Sequence, residues 1–223
     1  MPSKLEAVDV GAGTGIFSRM LSDAGFSTVR AVEPNDAMRE QGASGSRGTD
    51  IDWTDGSGGD TGLGDQVCDL VTMASSFHWV DFDAGCKEFH RILRPGGHFA
   101  ALWNPRLVEQ NPLLQEVEEL LSQIAPNLKR VSSGRAKFTT DLTERLNASG
   151  WFKDVVYVEG RHIQSFTPSE YLGVWRSVND VQVQLGKDRF GLFLERVAEL
   201  VDGFETIETT YLTRAWCAQR SES

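Results

Sequence analysis

The tightest constraint on this chain is the run Glu6-Ala-Val-Asp-Val-Gly-Ala-Gly-Thr-Gly-Ile-Phe, which ends at Phe17. Its apolar opening stops at Val10 and breaks into glycines at alternate positions, Gly11, Gly13 and Gly15. Ile16, Phe17, Met20 and Leu21 then fall on one face at helical spacing. The pattern predicts a strand, a tight turn and a helix N-terminus. Such a turn gathers backbone N–H groups at the positive end of a helix and cradles a nucleotide-like ligand. A second apolar run, Val29 to Val32, is closed by Glu33. A carboxylate at the end of a second strand can accept from both hydroxyls of a ribose.

The chain has 223 residues, 40% of them hydrophobic, enough for one sizeable domain with a buried core or one domain with a small cap. A formal net charge of −10 argues against a general binder of nucleic acid or of anionic membrane. No apolar run is long enough to cross a bilayer. Met-Pro-Ser-Lys leads at once into a strand, so no signal peptide is expected. Cys68, Cys86 and Cys217 are scattered and form no metal-like spacing; free thiols in a reducing cytoplasm are the simplest account. His90, His98 and His162 read as isolated structural or surface residues, and no metal site is expected.

Predicted strands are Leu5–Val10, Val29–Glu33, Asp50–Trp53, Asp69–Ala74 and His98–Trp103. Helices are expected between them at Gly15–Ala24, Asn35–Gln41 and Phe82–Leu93. The alternation reads as a parallel sheet with crossover helices. Arg94-Pro-Gly-Gly97 is expected to stop a helix and start a strand. Gly42–Gly64, rich in Gly, Ser, Thr and Asp, reads as a long polar loop. Beyond Pro105 the pattern changes. Helices are expected at Leu113–Ile124, Asp141–Ser149, Pro168–Ser177 and Lys187–Val201, a strand at Asp154–Glu159 and an extended run at Glu205–Cys217. The organisation expected is a cofactor-binding half, residues 1–104, and a C-terminal half of the same domain, residues 105–223, whose helical insertions form a lid over the carboxyl edge of the sheet.

The dinucleotide fingerprint wants a third glycine where Ile16 stands, so a nicotinamide cofactor fits poorly. Taken together, VDVGAGTG at 8–15, AVEP at 31–34, DLVTMASS at 69–76, FHWVDFD at 77–83 and RILRPGGHFAALW at 91–103 resemble a class I S-adenosylmethionine-dependent methyltransferase. The phrase FHWVD followed by Arg-Ile-Leu-Arg-Pro-Gly-Gly is similar to the branch of ubiquinone/menaquinone-type and trans-aconitate-type enzymes, which act on small molecules. The resemblance covers Leu5 to Trp103. It implies an α/β, Rossmann-like, doubly wound sheet of seven strands with the last strand antiparallel. It also implies S-adenosylmethionine as cofactor. Gly11, Ala12 and Gly13 would border the methionine portion, with Asp9 orienting the turn. Glu33 would hold the ribose, and Pro34, Asn35 and Met38 would border the adenine. Ser57, followed by Gly58, stands where this branch often has an acid, with Asp55 or Asp60 as substitutes. Ala74 and Ser75 would meet the methionine end and the sulfonium. Relatives usually carry a helical segment before the first strand, and here four residues precede Leu5.

Methyl transfer from a sulfonium is an in-line displacement that demands position and dryness. His78 is the candidate base, with substrate contact and a structural role as alternatives. Trp79, Trp103, Asn104 and Arg106 are candidate acceptor contacts, as are Tyr171 and Trp175, four apart on one helix. Arg106, with Arg130, Arg135 and Arg176, is a candidate clamp for an anionic acceptor. Oxygen is the preferred acceptor atom. The rivals are a catalytically inactive cofactor-binding partner or regulator and an NAD(P)-dependent oxidoreductase.

Overall fold

The computed structural model describes residues 4–129 and 137–222. In chain order the main elements are β1 (Glu6–Val10), α1 (Ile16–Asp23), β2 (Thr28–Val32), α2 (Asp36–Gly45), β3 (Ile51–Thr54), β4 (Cys68–Ala74), α3 (Phe82–Ile92) and β5 (Leu93–Trp103). They continue with α4 (Pro112–Ile124), α5 (Leu142–Ala148), β6 (Phe152–Phe166), α6 (Pro168–Arg176), α7 (Asn179–Val201) and β7 (Ile207–Arg220). The strands form one seven-stranded sheet in the order β3-β2-β1-β4-β5-β7-β6. Pairings from β3 through β5 are all parallel, and β7 runs antiparallel to β5. This is the doubly wound, Rossmann-like arrangement with a reversed last strand that the resemblance implies.

Strand order changes direction between β1 and β4, which places the topological switch at their carboxyl ends, where open α/β sheets bind ligands. Ala7, Val8 and Val10 on β1 are buried together with Val71 and Met73 on β4, as expected of central strands covered on both faces. Beside them α3 buries Cys86, Phe89 and Ile92, and its N-terminus is capped by Asp81, which accepts from the Ala84 N–H. Phe77 sits among Phe82, Phe89, Phe99 and Phe138 at ring-centroid distances of 5.1–5.8 Å.

The chain divides into two compact units. The first holds residues 1–103, 137–158 and 214–223; the second holds 104–136 and 159–213. The second has its own core, in which Leu113, Leu114, Val117 and Leu121 of α4 pack with Tyr171 and Trp175 of α6 and with Phe193 and Val197 of α7.

Four elements differ most from their sequence-based bounds. Helix α2 runs on to Gly45, because Gly42 packs flat against the Trp53 indole, where a Cβ would come within 2.1 Å of the ring. Strand β5 begins at Leu93: Leu93 pairs with Cys68, and the register then jumps so that His98 faces Leu70. Arg94-Pro-Gly-Gly97 is therefore a bulge within the strand, with Gly96 at φ 80°. Strand β6 extends to Phe166 although most of it is exposed, because hydrogen bonding to β7, not burial, defines it. Helix α7 starts at Asn179 and is interrupted at Gly186 (φ 71°, ψ 171°), so an additional helical stretch precedes the predicted Lys187 start.

Candidate cofactor and acceptor site

The glycine turn follows β1 at the switch point. Gly11, Gly13 and Gly15 adopt φ 67°, 59° and 78°, a region open to glycine at little cost. At Gly11 the need is also steric, since a Cβ would lie 2.7 Å from the Cβ of Ser76, whose hydroxyl donates to the Val10 carbonyl at 2.9 Å. The N–H groups of Gly11 and Ala12 both donate to the Val32 carbonyl, at 2.8 and 3.1 Å, so the turn is bonded to the end of β2.

Glu33 stands one residue past β2 and is buried. Its Oε2 accepts from the Gly13 N–H at 2.8 Å and its Oε1 from the Asn35 N–H at 3.0 Å. The carboxylate is thereby fixed in orientation, and each oxygen keeps a second acceptor direction. Asn35 caps α2 by accepting from the Met38 N–H at 3.0 Å. Met38 reaches back over the turn, its Cε 3.4 Å from where a Gly13 Cβ would be. Pro34 is exposed beside it.

Asp9 is 1% exposed beneath the turn. Its two carboxylate oxygens accept from Ser18 (2.7 Å) and Thr72 (2.8 Å), and burial pushes its pKa up to about 6. Sequence reading named Asp9 but missed both hydroxyls; a serine inside α1 and a threonine inside β4 carry no separate local signal.

Ser57 and Asp60 form an isolated bridge, and the buried Gly58 packs against Val80, where a Cβ would meet the side chain at 2.4 Å. Asp55 pairs with Arg39 at 3.4 Å, and Asp60 accepts from the Gly62 N–H at 3.2 Å. The polar loop is pinned at Thr61, whose N–H and hydroxyl both donate to Glu88 of α3, and Arg91 forks onto the same carboxylate. Ala74 ends β4, and Ser75 follows at φ 57°, a left-handed conformation strained for serine and common at ligand sites.

His78 lies in a short 3-10 turn, Phe77–Trp79, just past β4. Its Nδ1 accepts from the Trp103 indole N–H at 3.3 Å, and burial lowers its pKa. Trp103, the last residue of β5, is 2% exposed and packs edge-on against Trp216 at 5.6 Å. Its indole N–H is spent on His78. Trp79 is 65% exposed.

The other acceptor candidates lie in the second unit. There the Arg106 guanidinium rests 4.5 Å over the Trp175 ring, 3.9 Å from Glu118. Tyr171 and Trp175 are buried in that unit's core, Asn104 accepts from the Thr213 hydroxyl at 3.0 Å, and Arg176 is exposed. Arg130 and Arg135 lie outside the described residues. Among the described residues no cluster of His, Cys, Asp or Glu suits a metal ion, and no helix is long and apolar enough to cross a membrane.

Residues 8–101, the stretch that carries the glycine turn, Glu33 and His78, match the family model of the methyltransferase domain. This stretch resembles a methyltransferase domain. An uncharacterized methyltransferase of Mycobacterium tuberculosis is 34% identical to it over 99 residues, 44% of this chain and 40% of that protein. The human mitochondrial 2-methoxy-6-polyprenyl-1,4-benzoquinol methylase is 31% identical over 115 residues, 49% of this chain and 35% of its own. The chain spans about two fifths of the length of the curated relatives it matches. Among solved structures, the YcgJ protein of Bacillus subtilis superposes on 99% of this chain and 94% of its own with a TM-score of 0.59 at 16% identity. At that identity the likeness is one of fold. The matched stretch lies in the first unit, and its turn, carboxylate and imidazole follow the carboxyl ends of β1, β2 and β4.

Proposed function

We propose that this chain transfers a methyl group from S-adenosylmethionine to an oxygen of a small-molecule acceptor. The observation that carries the reading is Glu33. Its carboxylate is held by the Gly13 and Asn35 N–H groups at the switch point of a methyltransferase domain, oriented to accept further bonds from a ribose diol. The donor set fits the cofactor: positive-φ glycines that let backbone approach, a fixed carboxylate, Met38 beside the turn and strained Ser75 at the next strand end. When bound, that cofactor supplies an activated methyl on a sulfonium.

The chain's own residues do the rest. The Gly11–Gly13 turn borders the methionine portion. Asp9 stiffens that turn from below through Ser18 and Thr72. Glu33 holds the ribose, and Pro34, Met38, Ser57 and Gly58 flank the base. His78 and exposed Trp79 flank the acceptor. Likeness to a benzoquinol methylase and to a ubiquinone/menaquinone C-methyltransferase of Rubrivivax gelatinosus (32% over 97 residues) supports a small-molecule acceptor of that branch. Because those relatives match over less than half their length, the assignment rests on the site.

Calorimetry with S-adenosylhomocysteine tests it. Binding heat that Glu33→Ala removes or weakens is expected, with none from NADH. Heat from NADH alone would establish the oxidoreductase reading. Product binding without transfer of labelled methyl into a metabolite extract would establish an inactive binder.

A further inference from the structure

An in-line methyl transfer needs its donor and its acceptor held at a fixed spacing. In this chain that spacing is the one between the glycine turn after β1 and the short turn, Phe77–Trp79, after β4. Ser76 joins the two. It is the N-cap of the Phe77–Trp79 turn, and its carbonyl accepts from the Trp79 N–H at 3.0 Å. A serine at such a position ordinarily spends its hydroxyl on the first N–H groups of its own turn. Among the described residues it makes no such bond. The hydroxyl donates instead to the Val10 carbonyl of β1 at 2.9 Å. Val10 lies one residue past the last β1–β4 pair, Asp9 with Thr72, and Gly11 follows it directly. The contact is also close: a Cβ on Gly11 would lie 2.7 Å from that of Ser76.

The chain reaches this position through a strained residue. Ser75 continues β4 toward β5 by donating its N–H to the Leu102 carbonyl at 2.8 Å, and then turns at φ 57°, a conformation unfavourable for serine. Strand β4 lies between β1 and β5. Its end is therefore tied by main chain to one neighbour and by a side chain to the other. A strand end needs neither a left-handed serine nor a hydroxyl spent across the sheet. What the pair fixes is the place of the His78 turn against the glycine turn. Phe77, packed among the rings of Phe82, Phe89, Phe99 and Phe138, anchors the same turn in the core.

We propose that Ser76 is a positioning residue whose hydroxyl registers the Phe77–Trp79 turn against the glycine turn, so that a cofactor seated on the glycine turn sets the acceptor side of the site. Ser76 acts through the two turns it joins. A ligand that shifts the Val10–Gly11 backbone moves an atom bonded to Ser76, and Ser76 carries the residues that flank the acceptor. The proposal rests on the methyl-transfer reading for its cofactor, while the registration stands on the hydrogen bonds of the free chain.

The test uses the full chain labelled with fluorotryptophan, whose ¹⁹F spectrum resolves six tryptophans. Trp79→Phe identifies the signal of Trp79, and Trp175→Phe that of Trp175, which lies in the core of the second unit. S-adenosylhomocysteine should shift the Trp79 signal of the parent. Ser76→Ala deletes the hydroxyl and adds no bulk. In the free protein it should displace the Trp79 signal and leave that of Trp175 in place. Calorimetry should find its S-adenosylhomocysteine affinity unchanged, while the ligand-induced shift of Trp79 is lost and the initial rate of labelled methyl transfer into a metabolite extract falls. A Trp79 signal that ignores the substitution would overturn the proposal, as would a full ligand-induced shift in Ser76→Ala or none in a parent that binds the ligand. A fall in affinity that matches the fall in rate would make Ser76 a cofactor contact instead, and displacement of both signals would reduce its role to general packing. No binding of S-adenosylhomocysteine by the parent would sink the methyl-transfer reading, and the free-protein comparison would still decide the registration.

Discussion

Two edges of the same sheet hold their reactive side chains in opposite ways. At the β1–β2 edge the Glu33 carboxylate is gripped by main-chain N–H groups two and twenty residues away, Asn35 and Gly13. At the β4–β5 edge the His78 ring is gripped by one side chain, the Trp103 indole, from a different strand. The first arrangement is written into glycine spacing and strand ends. The second depends on where β5 places its last residue and where the short turn after β4 places His78, and a rotamer decides it. Backbone partners survive most substitutions; side-chain partners do not. The carboxylate edge should therefore be sensitive at its glycines and at Glu33 itself, and the imidazole edge at one tryptophan.

The largest test of that contrast is Gly11→Ala. The added Cβ meets Ser76 at 2.7 Å in a backbone conformation of φ 67° that alanine resists. A stability loss of about 3–5 kcal/mol in urea unfolding is expected, combining backbone strain and overpacking. A loss under about 1 kcal/mol would show that the turn yields.

Asp9 sharpens the comparison through pH. Unfolded, its carboxyl ionises near pH 4; folded, burial holds the proton until about pH 6. The unfolded state thus sheds its proton first, and stability falls as pH rises through that window. Above it, Asp9 costs about 2–3 kcal/mol relative to acid conditions. Asp9→Asn can still accept from one hydroxyl and donate to the other, so it should be more stable than the parent at pH 7 and nearly equal at pH 4. Equal denaturation midpoints for the two proteins at pH 7 would contradict the buried-proton account.

Glu33→Ala removes a charged acceptor from the proposed ribose position and should weaken S-adenosylhomocysteine by about 1.5–3 kcal/mol in calorimetry. An unchanged affinity would break the carboxylate half of the comparison. The smallest effect belongs to the second unit. Arg106→Met loses a stacked cation over Trp175 and should cost about 0.5–1 kcal/mol of stability while leaving S-adenosylhomocysteine affinity unaltered. A loss of product affinity there would move Arg106 into the nucleoside site.

Legibility follows the same divide. The strand–turn–helix start, Glu33 at a strand end and the alternation up to Trp103 were readable because each is a short-range pattern: apolar periodicity, glycine placement and caps. The Gly186 break in α7 hid a helical stretch, since a glycine, here at positive φ, looks like a helix terminus from sequence. The exposed length of β6 was invisible because its strand character comes from pairing with β7 and not from alternation. Arg145 gave no signal either. Its meaning comes from Phe82 and Phe138, which converge on it only in the folded chain. Sequence reasoning chose Arg106 as the cation of interest, and that side chain is engaged with Trp175 in the second unit.

The loop around Thr61 is tethered, not draped. Its amide and hydroxyl both end on Glu88, and Arg91 holds that acid from the other side while also reaching Asp65 and the Leu63 carbonyl. Lifting this segment means breaking a charged knot rooted in α3. A loop held this way is a fixed wall and not a flap. The amide of Thr61 should accordingly exchange with deuterium at the pace of the surrounding helix, far more slowly than its place in a glycine-rich connection suggests.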